Sequence, residues 1–338
     1  MQLYGAIDLH PNNGYYGIMT KEGKRVWGKR LANQPEKVLS ALARFRDDLE
    51  GIAIESTCTW YWLADLLEDN GYPVLLANPT AMEQYSGLKD GNDESDAFFI
   101  AELYRLGILP TGYIMPREMR PVRDLLRRRS LFVRQRTSHK LSLQLFLNRE
   151  TETKYTWNMV KALSTEEIDE LLHGNEVLSY TAMEQLSAVN ELTHRIKRVE
   201  EVVVGQAEIQ PAFSKLQTIP GVGKIQALTI MLETGAIDRF PRCGNYTSYC
   251  RCAKAERTSN GKKKAKNNRK NGNKYLSWAY VEAAHHCRKW CEPAQTFYRR
   301  KAKKNVALAT KALSSKLTKA AYYIMRDQVD FDLKKIFG

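Results

Sequence analysis

The chain has 338 residues, 43% of them hydrophobic, and carries 52 Lys+Arg against 38 Asp+Glu, a formal net charge of +14. That apolar content supports one large domain or two to three smaller ones and excludes a disordered chain. The cationic excess points to a polyanionic partner, nucleic acid first, because Lys and Arg that neutralise phosphates gain from counterion release. No run approaches 18 apolar residues, and "MQLYGAIDLH" has no basic stretch leading into an apolar one. Neither a membrane span nor secretion is expected, and the protein is read as cytoplasmic, with its six cysteines as reduced thiols.

The first 110 residues alternate like strands and then like helices. "QLYGAIDL", "YYGIMT" and "KRVWGKRLA", separated by "PNNG" and "KEGK", read as an antiparallel meander. "PEKVLSALARF" follows as a helix, "GIAIES" as a strand, "WYWLADLLEDNG" as a helix stopped at Gly71, and "PVLLANP" as a strand. The order βββαβαβα predicts an α/β domain with a mixed sheet whose later strands are parallel and share one C-terminal edge.

Acids interrupt this apolar frame at chosen places. Asp8 lies in the first strand between Ile7 and Leu9, and Glu55 ends the fourth. A buried carboxylate costs several kcal/mol unless it is paired or binds a metal. Asp93 and Asp96, three apart at the start of the next helix, share a face near the positive end of the helix dipole. Four carboxylates about 4 Å apart would repel by roughly 4 kcal/mol per pair at an effective dielectric of 20. Two Mg²⁺ ions, or Mn²⁺, would relieve that and suit phosphodiester cleavage. Taken singly, Asp90, Asp93, Glu94 and Asp96 also read as caps or solvated acids at a helix start.

From about residue 117 the chain turns basic. "REMRPVRDLLRRRSLFVRQRTSHKLSLQLFLNRE" reads as one or two helices, with Leu125, Leu126, Phe132, Val133, Leu141, Leu143 and Leu145 as the apolar face and Arg127, Arg128, Arg129, Arg134 and Arg136 as candidate nucleic-acid contacts. Leu186, Val189, Leu192, Ile196, Val199 and Val203 then recur every three or four residues, a coiled-coil seam that either pairs within the chain or dimerises. In "LQTIPGVGKIQALTIMLETG", Gly221, Gly223 and Lys224 open a helix after a tight turn, the look of a helix-hairpin-helix clamp on a phosphate backbone. Last comes "CAKAERTSNGKKKAKNNRKNGNKYLSWAYVEAA", read as a mobile basic loop in which Lys262, Lys263, Lys264 and Lys266 would meet nucleic acid and Ser259 sits in a turn.

Together "AIDLH", "IAIESTCTWYWLADLLEDNGYPVLLANP", "NDESDAFFIAEL", "IPGVGKIQALTIMLETG" and "KNGNKYL" resemble the transposases of insertion sequence family one-ten, the bridge recombinases, which include Piv-type DNA invertases. The resemblance implies a RuvC-like (RNase H-type) domain at 1–115, a basic helical and coiled-coil segment at 116–210 and a mainly α C-terminal transposase domain at 211–338. It implies Asp8, Glu55, Asp93 and Asp96 as a DEDD tetrad binding Mg²⁺, and Ser259 as a serine nucleophile. It also implies donor and target DNA, a structured bridge RNA, and a homo-oligomer, dimer or tetramer, in which the tetrad of one subunit works with the serine of another in a prokaryotic cytoplasm. This chain has Asn92 where the family commonly has threonine, and Ser259-Asn260-Gly261 where it has a serine-glycine step. Thr258 is therefore a rival nucleophile, and Lys262 or Arg257 could stabilise phosphorane charge.

Other classes fit fewer residues. A Piv-like invertase shares the same residues. A noncatalytic DNA- or RNA-binding protein leaves Asp8 and Glu55 unexplained, and an actin-like ATPase would need a Thr-rich phosphate loop that "DLHPNNGYYG" lacks. The spacing of Cys250, Cys252, His285, His286, Cys287 and Cys291 matches no paired CxxC zinc pattern.

Overall fold

The computed structural model describes residues 1–57, 59–88, 92–206, 211–253, 257–259, 262–264 and 271–338, with the backbone alone at 86, 88, 257–259 and 262–264. The chain divides into two compact units, Met1–Met115 and Pro116–Gly338.

In the first unit β1 (Leu3–Leu9), β2 (Asn13–Thr20) and β3 (Arg25–Ala32) form the expected meander. They are followed by α1 (Pro35–Leu42), β4 (Leu49–Glu55), α2 (Trp60–Asp69), β5 (Val74–Ala77), α3 (Pro79–Met82), α4 (Asp93–Arg105) and β6 (Thr111–Gly112). The sheet order is β3-β2-β1-β4-β5-β6. β1 pairs β4 and β4 pairs β5 in parallel, whereas β6 adds an antiparallel edge too short for any sequence period to reveal.

Alternation along the strands separates two cores. Leu3, Ile7, Leu9, Ile52 and Ile54 pack with Val38 and Leu42 of α1 and Leu63 and Leu67 of α2. On the opposite face Ala6, Met19, Ala53 and Ala77 pack with Phe98, Ala101 and Leu103 of α4. Small residues floor this second face. A Cβ added to Gly17 would stand 3.2 Å from the Phe98 ring, and one added to Gly28 3.1 Å from it, so α4 rests close against the sheet. Burial of Phe98 alone contributes about 2–3 kcal/mol.

The second unit is largely helical: α5 (Arg120–Thr151), α6 (Trp157–Ala162), α7 (Thr165–Leu171), α8 (Glu176–Gly205), α9 (Pro211–Leu216), α10 (Lys224–Thr234), α11 (Cys243–Tyr249), β7 (Arg257–Ser259), β8 (Lys262–Lys264), α12 (Lys274–Trp290), α13 (Glu292–Ala302), α14 (Val306–Asp327) and α15 (Leu333–Phe337). The contacts Arg129–Glu200, Arg136–Thr193 and His139–Gln185 run in opposite directions along α5 and α8, so the two long helices form an antiparallel arm. Val189, Ile196 and Val203 of the sequence seam are buried, and the seam pairs within the chain. Away from the base, Leu143 and Leu147 meet Val160, Ile168, Leu172 and Ala182 in a separate core. At the base, Leu126 and Val203 join the core of α10, α12 and α14.

Two expectations are corrected here. Leu141 and Leu145 do not join Leu143 on an apolar face: they are 55% and 68% exposed, while Leu143 and Leu147 are buried. Residues two apart on a helix point about 200° apart, so 141, 143 and 145 cannot share one face. The basic stretch read as a loop contains a two-stranded antiparallel ladder, β7 against β8, pairing Thr258 with Lys263 and Ser259 with Lys262. Asn260-Gly261 between them is a strong two-residue hairpin signal.

Cys243, Cys250, Cys252, Cys287 and Cys291 carry free thiols, and none belongs to a candidate metal group among the described residues. Burial, reinforced by Cys291, pushes the Cys287 thiol up to about 12. Tyr246 and Tyr280, fully buried, share a 2.7 Å hydroxyl–hydroxyl bond that continues to Thr234 at 2.9 Å. Among the described residues no helix is long and apolar enough to cross a membrane.

The PGVG turn owes its glycine to packing. Gly221 has φ of 89°, and a Cβ there would lie 2.5 Å from the Ala283 carbonyl oxygen and the Cys287 nitrogen of α12. Gly223 and Lys224, at the start of α10, are exposed. Gly221→Ala is therefore expected to cost about 2–4 kcal/mol from backbone strain plus overpacking. Gly223→Ala should cost less than about 1 kcal/mol. Urea unfolding of both variants measures the difference, and equal loss in the two would dismiss the packing role of Gly221.

Candidate metal centre

The site is built on the α4 face of the first unit. Asp8 follows Ala6 by two residues and so shares its face. It pairs across the ladder with Tyr15, which pairs with Arg30, so the three side chains stand in one row. In the parallel pair Ile7 lies opposite Ile54. Glu55, one residue beyond Ile54, therefore stands beside Asp8 in register and on the same face as Ala53. Asp8 is buried, 4% exposed, whereas Glu55 is half-buried.

The start of α4 supplies the second half. Asn92 caps it: its Oδ1 accepts from Ser95 N–H at 2.8 Å, and Ser95 Oγ accepts from Asn92 N–H at 3.2 Å. The capping box does what a threonine cap would do, so the departure at Asn92 leaves the helix start intact. Asp93 and Asp96, both half-buried, lie in the first turn of this helix.

His10 joins the two halves. Its Nε2 lies 3.3 Å from Asp8 Oδ2 and 3.4 Å from Asp93 Oδ2. One ligand atom from each of Asp8, His10 and Asp93 fits within 4.8 Å of the others. Glu55 and Asp96 fall outside this tight group. His10 Nε2 is shielded from solvent and has no hydrogen-bond partner among the described residues. Two carboxylates and an orphaned imidazole nitrogen make a donor set that fits a divalent cation, the oxygens suiting Mg²⁺ and the imidazole being better accepted by Mn²⁺.

Arg30 completes the electrostatics. Its Nη2 donates to Asp93 Oδ2 at 2.6 Å while Nη1 donates to Asn13 Oδ1 at 3.0 Å. The Arg30 hydrogen bond holds the Asp93 carboxyl below the usual aspartate range. Burial, helped by its hydrogen bond to Glu94, pushes the neighbouring Tyr15 phenol up. Sequence reading missed His10 and Arg30. His10 was signalled by its i+2 spacing from Asp8; Arg30 could be placed only through the hairpin register.

The remaining expected residues lie in the second unit. Ser259 ends β7, and Lys262, Lys263 and Lys264 form β8; Lys266, like Asp90 of the first unit, lies outside the described residues. Arg127 and Arg129 are committed within the fold: Arg127 Nε donates to Glu233 Oε1 at 2.6 Å and Arg129 Nη2 to Glu200 Oε1 at 2.6 Å. Arg136 Nη1 reaches Thr193 Oγ1 at 3.4 Å. Arg128 and Arg134 are exposed.

Replacing Arg30 by Gln removes the group that stabilises ionised Asp93, so the carboxyl should titrate at higher pH. Because the folded-state value is depressed in the wild type, the ion pair stabilises the fold above the usual aspartate range, and that stabilisation disappears as pH falls through the lowered value. Carboxyl-carbon NMR titration of wild type and Arg30→Gln reads this directly. An unmoved Asp93 titration would show that Arg30 does not govern its charge.

Comparison with known proteins places the chain in a family. A transposase model of the DEDD, IS110 type matches residues 6–151, the span holding Asp8, Glu55, Asp93 and Asp96. A second model, transposase of the IS116/IS110/IS902 family, matches residues 214–299, which hold the PGVG turn and Ser259. The chain is also similar to y4qE of Sinorhizobium fredii (strain NBRC 101917 / NGR234), which is named as a transposase: 24% identity over 271 residues, covering 77% of this chain and 64% of that protein. The chain thus spans less than two thirds of that relative's length. With two family models covering most of its length from β1 to α13, the chain belongs to the IS110 family of transposases.

Proposed function

We propose that this protein is a DNA transposase that cuts and rejoins phosphodiester strands, with Asp8, Glu55, Asp93 and Asp96 as metal-binding acids and Ser259 as nucleophile. The observation that carries the reading is the buried Asp8 brought by the fold to Asp93, with His10 between them. Such an arrangement would be a burden in a module that only binds nucleic acid. On this reading the first unit is a RuvC-like nuclease domain and the arm and C-terminal helices act as separate working parts.

Asp8, Asp93 and His10 would hold the first divalent cation, with Glu55 and Asp96 as neighbouring carboxylates. A divalent cation held there would supply positive charge to polarise the scissile phosphate. The Ser259 hydroxyl attacks phosphorus: the Oγ–P bond forms, the bond from phosphorus to one deoxyribose oxygen breaks, and the serine proton ends on the released DNA hydroxyl. The phosphoserine link keeps the bond energy for the reverse attack, so rejoining needs no ATP. Arg257 or Lys262 would offset charge on the phosphorane. Arg128, Arg134 and the lysines of β8 are the exposed or strand-borne cations offered to DNA or to a structured guide RNA, and a homo-oligomer is the working assembly.

The test uses a supercoiled plasmid carrying the DNA that flanks the gene, RNA transcribed from the same flanks, and Mg²⁺ or Mn²⁺. Asp8→Asn and Glu55→Gln should each lower strand cleavage by at least 10³-fold while nucleic-acid binding holds. Ser259→Ala should abolish covalent protein–DNA adducts that Thr258→Ala retains. Cleavage by Asp8→Asn at the wild-type rate, or undiminished cleavage in excess chelator, would sink the metal chemistry; adducts persisting in Ser259→Ala would transfer the nucleophile to another residue.

Charge supplies a separate check. Neutralising Lys262, Lys263 and Lys264 together should flatten the dependence of log Kd on log salt by up to about 0.9 for each phosphate no longer neutralised. A slope equal to the wild type would assign β8 to solvent.

A further inference from the structure

The described residues that flank the stretch holding β7 and β8 are bonded to one another and form a neck. Asn273 N–H donates to the Tyr249 carbonyl at 2.6 Å, and Arg251 donates to the Gly272 carbonyl through Nε at 3.1 Å and Nη2 at 2.8 Å. A Cβ on Gly272, whose φ is 82°, would stand 2.5 Å from the Tyr249 oxygen, so the neck closes only because that position is bare.

Asn273 does two jobs with one amide. Its Oδ1 caps α12, accepting from Tyr275 N–H at 2.8 Å and Leu276 N–H at 3.1 Å. Its Nδ2 donates to Glu233 Oε2 at 2.7 Å. Glu233, on α10, is only 2% exposed and is also gripped by α5: Arg127 donates to both of its oxygens, at 2.6 and 2.8 Å, and Arg123 to Oε2 at 3.1 Å. Arg123 and Arg127 are one turn apart and present one face to the carboxylate. Burial raises the Glu233 carboxyl, but the Arg127 bond, the two arginine charges and the Asn273 amide outweigh it and hold it ionised.

We infer that Glu233 is a positioning residue for the segment carrying Ser259, because its buried carboxylate ties Asn273, at the closing end of that segment, to Arg123 and Arg127 of α5. The inference rests on the reading of Ser259 given above. It assigns Arg123 and Arg127 to the same task, which makes the base of the long arm the mechanical support of the nucleophile segment. A movement of α5 would then reach the neck through one carboxylate.

Exchanging the polarity of the Asn273–Glu233 bond tests this without removing the cap. Asn273→Asp keeps the acceptor for Tyr275 and Leu276 but sets a carboxylate against Glu233, whereas Glu233→Gln added to it restores a donor–acceptor pair and the original net charge. The full chain is used, and two quantities are read: hydrogen exchange of the Asn273 amide that closes the neck, and the rate of adduct formation on the plasmid described above. Asn273→Asp should speed that exchange and slow adduct formation, each at least tenfold, with nucleic-acid binding unchanged. The Glu233→Gln/Asn273→Asp double variant should recover part of both, because the amide that replaces Oε2 meets position 273 but no longer accepts from Arg123 and Arg127. Wild-type exchange in Asn273→Asp, or no recovery in the double variant, would overturn the inference, even if the single variant folds poorly. Adducts that persist in Ser259→Ala while the neck responds as expected would instead remove the nucleophile assignment and leave the clamp standing.

Discussion

Everything in the first unit depends on how closely α4 lies on the sheet. Ala6, Ala53, Ala77 and Gly17 leave little side-chain bulk on that face, and Phe98 fills the space they vacate. The opposite face, with Ile7, Ile52 and Ile54, holds its helices off by full aliphatic side chains. The asymmetry has a chemical result. A helix that settled further out would carry Asp93 away from Asp8, and His10 Nε2 could not lie within 3.4 Å of both carboxylates. Apolar packing thus sets the distance at which like charges are brought together, and Arg30 tempers the repulsion that results.

Much of this was legible in the sequence, for identifiable reasons. Strand period, turn residues and helix stops located β1 to β5 and their order along the chain, because each depends on local spacing. Asp8 stood out because an acid between Ile7 and Leu9 breaks an apolar run. Arg30 did not, because its partnership with Asp93 depends on cross-strand register, and a one-residue slip in β3 would turn it to the other face. The fates of Arg127 and Arg129 were hidden for a related reason. A run of arginines looks alike in sequence whether it faces phosphate or carboxylate, and only the fold shows Glu233 and Glu200 waiting opposite.

The second unit uses charge differently from the first. There a buried carboxylate is surrounded by its counterions and an amide, with every partner at 2.6 to 3.1 Å, so it acts as a fixed joint rather than a reactive centre. Buried ion pairs of this kind contribute modestly to net stability, and their removal one partner at a time is costly. Their use is geometric, since a carboxylate accepts several directed bonds at once and so joins α5, α10 and the start of α12 at one point.

The parallel pairing of β1 with β4 bears on how the protein folds. The β1–β2–β3 meander closes locally, but Leu3 meets Leu49 and Ile7 meets Ile54 only after an intervening stretch of chain has been ordered, and α4 docks later still in sequence. Non-local closures of this kind are slow relative to hairpins and helices. Asp8 and Asp93 are therefore strangers in a nascent chain, and the acidic cluster comes into existence only when the domain is finished. A partly synthesised or partly unfolded first unit carries these residues but not the cluster.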